Sequence, residues 1–391
     1  MDCHGAARLA MTKPARHRDT RPVIARNEAI HRLLHNLAMN MKADNDALFA
    51  PLDLGSGLVL PNRVVLAPCT RNRATPELGP SAGAAAYYAQ RAQAGLLITE
   101  AILVTPEAQG YLDTPGLFAN SHVSGWRQVC DAVHAQGGRI FAQLWHTGRI
   151  AHSHWAKVQP VAPSAVLDPV LRRQAGGVEL YNEMPRALGA QEIPGVIDLF
   201  RQAAQRAHAA GFDGIEIHGA NGYLIEQFLR QHTNRRDDAW GADLPGRLRF
   251  ALAVTQACVE VWGPHRVGLR LSPWPDFGEM RWSEGDNETY IALLQQVAGL
   301  QLAYVHTGIT QDSPREQIDG TPSAFLRRHW PGVLIGNGGH TPETALQHLQ
   351  AGDFDLVSFG RSFIANPDLV TRLREGLALR PYHHDVLKAL A

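Results

Sequence analysis

The chain has 391 residues, 45% of them hydrophobic, with 37 Lys plus Arg against 37 Asp plus Glu. That length and apolar content support a large buried core, while the balanced charge gives no footing for a nucleic-acid or membrane-surface partner. Cys3, Cys69, Cys130 and Cys258 are far apart and form no CxxC, which fits free thiols in a reducing, cytoplasmic compartment, and no run of about 18 apolar residues is present to span a bilayer.

Residues 1–46 carry scattered Arg and His, little apolar periodicity and no Ser. The segment lacks the apolar stretch of a secretory signal and the Ser content of a transit peptide, so it reads as a disordered or weakly helical extension. Met39 and Met41 lie just ahead of the next segment and offer internal starts.

From residue 60 onward short apolar runs alternate with helical stretches. The runs are 64–66, 96–100, 140–145, 214–218, 267–271, 303–306, 333–336 and 356–360. Most are continuously apolar, as strands covered on both faces should be. The helical stretches between them are clearest at 84–94, 121–135, 194–210, 248–262, 288–300, 342–351 and 366–375. Gly211 has the place of a helix-ending glycine, and Thr341-Pro342 that of an N-cap followed by an N1 proline. Eight strand–helix units predict a closed (β/α)8 barrel over residues 47–391, rather than an open doubly wound sheet. Residues 153–192, between the third strand and its helix, are too long for a simple βα loop, and they predict an inserted hairpin or lid.

In such barrels phosphate sits in the loops after strands seven and eight. Here those loops contain Asn337-Gly338-Gly339 and Gly360-Arg361. Glycines let backbone N–H groups approach phosphate oxygens, and an arginine adds a charged fork. Taken alone, either loop could be only a tight turn. After the first strand there is no GxGxxG, so a separate dinucleotide domain is not expected.

The fourth run leads into His218-Gly219-Ala220-Asn221-Gly222-Tyr223. His218 and Asn221 can donate toward one oxygen that gains negative charge during reduction, and Tyr223, a phenol protonated at neutral pH, can serve as an acid. Gln143 and Arg270 are polar residues inside apolar strands, and both need partners. A flavin pyrimidine would satisfy the Gln143 amide, and the flavin N1/O2 edge would satisfy Arg270; the alternative for Arg270 is a salt bridge to Glu216 or Glu100. Trp145 reads as a wall of the substrate pocket or as core packing.

Several stretches together are highly specific: Leu48-Phe49-Ala50-Pro51-Leu52, Ala67-Pro68-Cys69-Thr70-Arg71, Gln143-Leu144-Trp145-His146-Thr147-Gly148-Arg149, His218–Tyr223, and Phe359-Gly360-Arg361 followed by Ala365-Asn366-Pro367-Asp368-Leu369. From about Leu48 to Leu379 the chain resembles the old yellow enzyme family of FMN-dependent ene-reductases, in particular its N-ethylmaleimide reductase-like members. The resemblance implies non-covalent FMN, with NADH or NADPH as electron donor in a ping-pong cycle that reduces activated alkenes or nitro compounds. It also implies that Pro68, Thr70, Ala101, Gln143 and Arg270 line the flavin, and that Asn337, Gly338, Gly339, Gly360 and Arg361 hold its phosphate. His218, Asn221 and Trp145 would then bind substrate, and Tyr223 would protonate it. The stretch 237–247 departs from the family pattern, and Cys69 stands one position before the cysteine of another branch.

Competing readings are a flavin-binding barrel with little turnover and a flavin-free phosphate-binding lyase or isomerase. Gly79-Pro80-Ser81-Ala82-Gly83 matches GxSxG, but no buried strand precedes it, so Ser81 reads as a helix N-cap. His146, His152 and His154 have no carboxylate or thiol at ligand spacing, and no metal site is expected.

Overall fold

The structure, a computed structural model, describes residues 46–170, 172–175, 177–383 and 385–386. The N-terminal extension, Asp46 excepted, and the Met39 and Met41 starts lie outside the described residues.

Eight parallel strands close into a barrel: β1 (Val64–Leu66), β2 (Leu96–Leu103), β3 (Ile140–Trp145), β4 (Gly214–Gly219), β5 (Val267–Leu271), β6 (Tyr304–Thr307), β7 (Leu334–Gly336) and β8 (Leu356–Phe359). Each overlaps a run expected from the sequence. Helices follow the strands in turn: α1 (Ala84–Ala89), α2 (Asn120–His134), α3 (Ile193–Ala210), α4 (Leu244–Trp262), α5 (Asp286–Ala298), α6 (Pro322–His329), α7 (Pro342–Ala351) and α8 (Leu369–Glu375). Gly211 ends α3 at φ +89°, and Thr341 starts α7 with a capping box, as their residue types required. Ser81 is not an N-cap: α1 begins at Ala84 behind Gly83, and the Ser81 carbonyl only accepts the Ala84 N–H in a turn. The helical stretch expected at 366–375 starts at Leu369, because Asn366 is used otherwise, bonding through its side chain to the Ser362 and Arg380 carbonyls. Helix α6 was missed, although Thr321-Pro322 gives it the same cap chemistry as α7, with the Thr321 hydroxyl accepting from the Ala324 N–H.

Along the strands, side chains alternate between two surroundings. Val64, Leu66, Ala142, Leu144, Ile215, Ile217, Leu269, Val305, Leu334 and Val357 join the core shared with the helices. Val65, Ile98, Phe141, Tyr304, Ile335 and Leu356 form a separate cluster with Leu54, Leu58 and Leu60, carried by a small antiparallel ribbon at 52–60. That cluster is the apolar floor of the barrel. The next inward positions along the chain are Gln143, Glu216, Arg270, His306 and Ser358, all buried. The strands are therefore apolar on the outside and polar one layer above the floor. Their burial on both faces hides this alternation in a plain hydropathy reading.

Within 153–192, Arg172–Ala175 pairs antiparallel with Val178–Tyr181 around a turn at Gly177 (φ +85°), and Val161–Ala162 pairs with Arg186–Ala187. Two buried arginines pin the segment. Arg149, just past β3, lies 3.5 Å from Asp168 and donates to the Val166 carbonyl. Arg173 donates to the carbonyls of Gly110 and Ile150.

Candidate active site

A cavity of about 510 Å³ opens where the barrel strands end. Ala67, Pro68, Cys69 and Thr70 follow β1; Ala101 comes from β2, Gln143 and Trp145 from β3, and His218, Asn221 and Tyr223 from the end of β4 and the turn above it. Arg270 comes from β5, Asn337 and Gly339 from beyond β7, and Gly360 and Arg361 from beyond β8. Gly338 does not line the wall. It sits at φ +133° with its Cβ position against the Asp312 backbone, and its carbonyl accepts the Asp312 N–H at 3.1 Å. Its part is to turn the loop.

At the base of this cavity the Gln143 Nε2 donates to Glu216 Oε1 at 2.7 Å, and the other carboxyl oxygen meets His306 Nδ1 at 2.8 Å. His306 Nε2 lies 2.9 Å from the Ser358 hydroxyl. The sequence reading sought a ligand as partner for Gln143. The fold instead supplies Glu216, its lateral neighbour in the strand register, and leaves Oε1 of the amide without a hydrogen bond among the described residues. Burial alone would raise the Glu216 carboxyl, but His306, Arg270 and the Gln143 hydrogen bond outweigh it and hold the group below its ordinary value. Arg270 does not form either salt bridge considered for it: Glu100 is bound by Arg71 at 2.7 Å, and Arg270 Nε is buried with no partner. A bulge in β2 near Ala101 accompanies this, with Glu100 turned to Arg71 and Ala101 placed on the cavity wall.

On the β3–β4 side, His218 accepts the Ala220 N–H at Nδ1 (3.4 Å), which leaves the ring proton on Nε2. Burial, with the nearby Arg270 and His306, pushes its pKa well below the ordinary histidine value, so the ring is neutral. Tyr223 packs edge-on to both His218 and Trp145, at 4.9 Å between ring centres in each case. Its hydroxyl meets that of Tyr111 at 3.2 Å, and Tyr111 in turn stacks on Trp145. Burial pushes Tyr223 well above pH 10 and Tyr111 up to about 12, so both phenols keep their protons. Asn221 occupies the left-handed region at φ +55°, where asparagine is tolerated. Its side-chain amide donates to the Gly308 carbonyl at 2.8 Å, which fixes the group and leaves its second N–H.

On the β7–β8 side the wall is largely backbone. Gly339 and Arg361 are exposed, the Arg361 guanidinium standing 6.0 Å from the Tyr382 ring. A Cβ on Gly360 would meet the Cys69 sulfur at 2.9 Å. His340 joins this wall, its Nε2 buried without a hydrogen bond and 3.7 Å from Asp312 Oδ2.

Comparison with known proteins decides the family. A profile of the NADH:flavin oxidoreductase / NADH oxidase family matches residues 47–380. Over 348 residues the chain is 39% identical to 12-oxophytodienoate reductase 2 of Arabidopsis thaliana, covering 86% of this chain and 90% of that one. It is 40% identical over 354 residues to a chanoclavine-I aldehyde reductase of Penicillium roqueforti, covering 86% and 91%. The chain belongs to the old yellow enzyme family. Among solved structures it is similar to morphinone reductase in complex with tetrahydroNAD (42% identity, TM-score 0.81, covering 87% and 93%) and to the old yellow enzyme homologue from Zymomonas mobilis (36%, 0.82, covering 87% and 96%).

As an old yellow enzyme the protein is an NAD(P)H:flavin oxidoreductase with FMN as its cofactor. The cavity fits that group. Arg270 presents a buried cation with an orphaned nitrogen, Gln143 presents a free carbonyl, and glycine backbone with Arg361 stands at the far end. Gly308 lets Arg270 and Ala220 pack closely beside it, since a Cβ there would lie 3.3 Å from the Arg270 side chain and 2.5 Å from Ala220. Sequence reasoning missed Phe277, Ile309, Thr310, His340 and Ser358 on the wall, Tyr111 behind it and His306 beneath it. His306 and Ser358 carried a signal, as polar residues at inward strand positions; Tyr111 lies in a loop and carried none. Among the described residues no group of His, Cys, Asp and Glu could hold a metal ion, and no helix is long and apolar enough to cross a membrane.

Proposed function

We propose that this enzyme works by a ping-pong cycle in which NADH or NADPH reduces the flavin and leaves, and an activated alkene (an enone or maleimide) or a nitro compound is then reduced at the same face. The observation that carries this reading is the convergence of the His218 Nε2–H, the Asn221 amide and the Tyr223 hydroxyl on one wall of one cavity. Donor and acceptor must take turns there. Bound FMN supplies hydride transfer, from the nicotinamide and then to the β-carbon of the alkene.

Around that chemistry His218 and Asn221 hold the carbonyl or nitro oxygen and stabilise the charge that grows on it. Because His218 is neutral, it offers a hydrogen bond without giving up its proton. Tyr223 moves its hydroxyl proton to the α-carbon, and Tyr111, bonded to the same oxygen, fixes where that proton points. Trp145 forms the wall behind both rings. Pro68, Thr70 and Ala101 line the flavin ring, Gln143 and Arg270 face its pyrimidine edge, and Asn337, Gly339, Gly360 and Arg361 hold the phosphate, with Gly338 shaping the loop. The reductase names of the relatives support a reductive reaction.

Anaerobic stopped-flow tests it. The purified protein is expected to be yellow, to bleach with NADH or NADPH, and to recover its colour when 2-cyclohexenone is added. Bleaching that no enone, maleimide or nitro compound reverses would remove the reductive half of the proposal.

A further inference from the structure

We propose that Glu216, which has no contact with the cavity itself, is a positioning residue for the flavin's pyrimidine edge, fixing the orientation of Gln143 and supplying the counter-charge to Arg270. The inference rests on the FMN reading of the cavity. Glu216 is fully buried and both its oxygens are engaged, one by Gln143 and one by His306. An amide nitrogen can only donate, so the bond to Oε1 fixes which end of Gln143 points inward. The carbonyl end is thereby aimed at the cavity as an acceptor. With Glu216 neutral and apolar the amide could rotate, and its choice of donor or acceptor would be lost.

The charge argument is separate. Arg270 lies in the register between His218 and His306, buried, with Glu216 acting on it electrostatically and no carboxylate in contact. A buried cation without a counter-charge is costly. Of the groups within reach of the Ser358 hydroxyl, His306 Nε2 is nearest at 2.9 Å, ahead of Asn337 Oδ1 at 3.0 Å and the Gly336 carbonyl at 3.2 Å. A neutral His306 that donates its Nδ1 proton to Glu216 has a lone pair on Nε2 to receive the Ser358 hydroxyl. Burial and Arg270 both disfavour an imidazolium at that place. The layer then carries one negative charge, on Glu216, and one positive, on Arg270. A reduced flavin brings a further negative charge to the same edge. Glu216 therefore moderates how strongly Arg270 favours the reduced form.

The test compares FMN-loaded wild type, Glu216→Gln and Glu216→Asp by their midpoint potentials and by FMN binding to the apoproteins. Glu216→Gln keeps the shape and removes the charge. It is expected to favour reduced over oxidised FMN about tenfold more than wild type, an upward shift of about 30 mV for a two-electron couple. Glu216→Asp keeps the charge and shortens the reach, and should stay within threefold of wild type in that ratio while binding oxidised FMN more weakly. An unshifted Glu216→Gln, or equal shifts in both variants, overturns the proposal, since a packing role would not distinguish them. Should Glu216→Gln not fold, His306→Gln carries the charge assignment: it retains a donor to Glu216 and removes no charge, so its potential should match wild type. A downward shift would place a cation on His306 and refute the scheme. Wild type that cannot be loaded with FMN sinks the cofactor site as a whole, whereas loaded wild type with unshifted variants sinks this inference alone.

Discussion

The two ends of the cavity are built in opposite ways. Where β3 and β4 end, the wall consists of buried side chains: Trp145, His218 and Tyr223 in mutual ring contact, with Tyr111 behind them. Burial sets their chemistry, holding His218 neutral and keeping both phenols protonated. Where β7 and β8 end, the wall is largely loop backbone around Gly339 and Gly360, joined by the exposed Arg361 and by Asn337 and His340. The first arrangement suits a site that must tune proton affinity; the second suits one that must only accept charged oxygens at close range. Substitutions at the two ends should therefore fail differently, the first in chemistry and the second in cofactor retention.

The largest expected effect is at Tyr223. Tyr223→Phe should slow alkene reduction by about 10²–10⁴-fold, the usual span for losing a general acid. Flavin reduction by NAD(P)H should stay near normal, and stopped-flow traces of the two half-reactions separate them. Equal slowing of both would contradict the proton-donor role. His218→Ala comes next, with phenol binding expected to weaken about 10–100-fold, in line with a hydrogen bond to a charged group. It reads out as loss of a long-wavelength charge-transfer band, and an unchanged band would mean that the oxygen site lies elsewhere. Arg361→Ala tests the opposite end. FMN affinity should fall by a similar order, about 10–100-fold, while the fully loaded variant reduces alkenes as wild type does. A defect in the loaded variant would erase the contrast between the two ends.

The pH response should be smaller and is shared by both ends, since His340 on the β7–β8 side and His306 beneath the cavity are also lowered by burial. His218 is lowered by burial and His146 is held at about 3 for the same reason, whereas an unfolded histidine takes up its proton near pH 6.5. The unfolded chain then binds more protons, so stability is intact above about pH 6.5 and falls as pH drops below it, by roughly 1.4 kcal/mol per unit for each histidine. Denaturant midpoints at pH 7.5, 6.5 and 5.5 check this, and a flat response over that range would show these rings protonated in the fold. The smallest effect is expected on the β7–β8 side. Thr341→Ala removes the capping box of α7 and should cost about 1 kcal/mol of stability with reduction chemistry unchanged in the loaded enzyme.

The strands were legible because each is buried on both faces, and a short apolar run between turn residues has few other places to go. His218, Asn221 and Tyr223 were legible because they follow a strand in one unbroken stretch. The glycines of the loops after β7 and β8 were legible for the same local reason, although the neighbouring Gly338 turns its loop and does not line the wall. What failed was assignment of partners across the barrel. Gln143 found Glu216 in the next strand, Arg270 found no carboxylate, and Glu100 had already been taken by Arg71. Ser81 failed as a cap because the helix starts three residues later than the serine.

By itself, then, the chain determined its strand count, the candidate stretch after β4 and the family to which both point. These depend on side-chain periodicity and on residues close together in sequence. The tertiary structure alone decided the Gln143–Glu216–His306–Ser358 layer, the bond between Tyr111 and Tyr223, and the pinning of 153–192 by Arg149 and Arg173. Each joins residues that are tens of positions or more apart, or sets a proton affinity by burial. Neither quantity exists until the barrel has closed and removed the water.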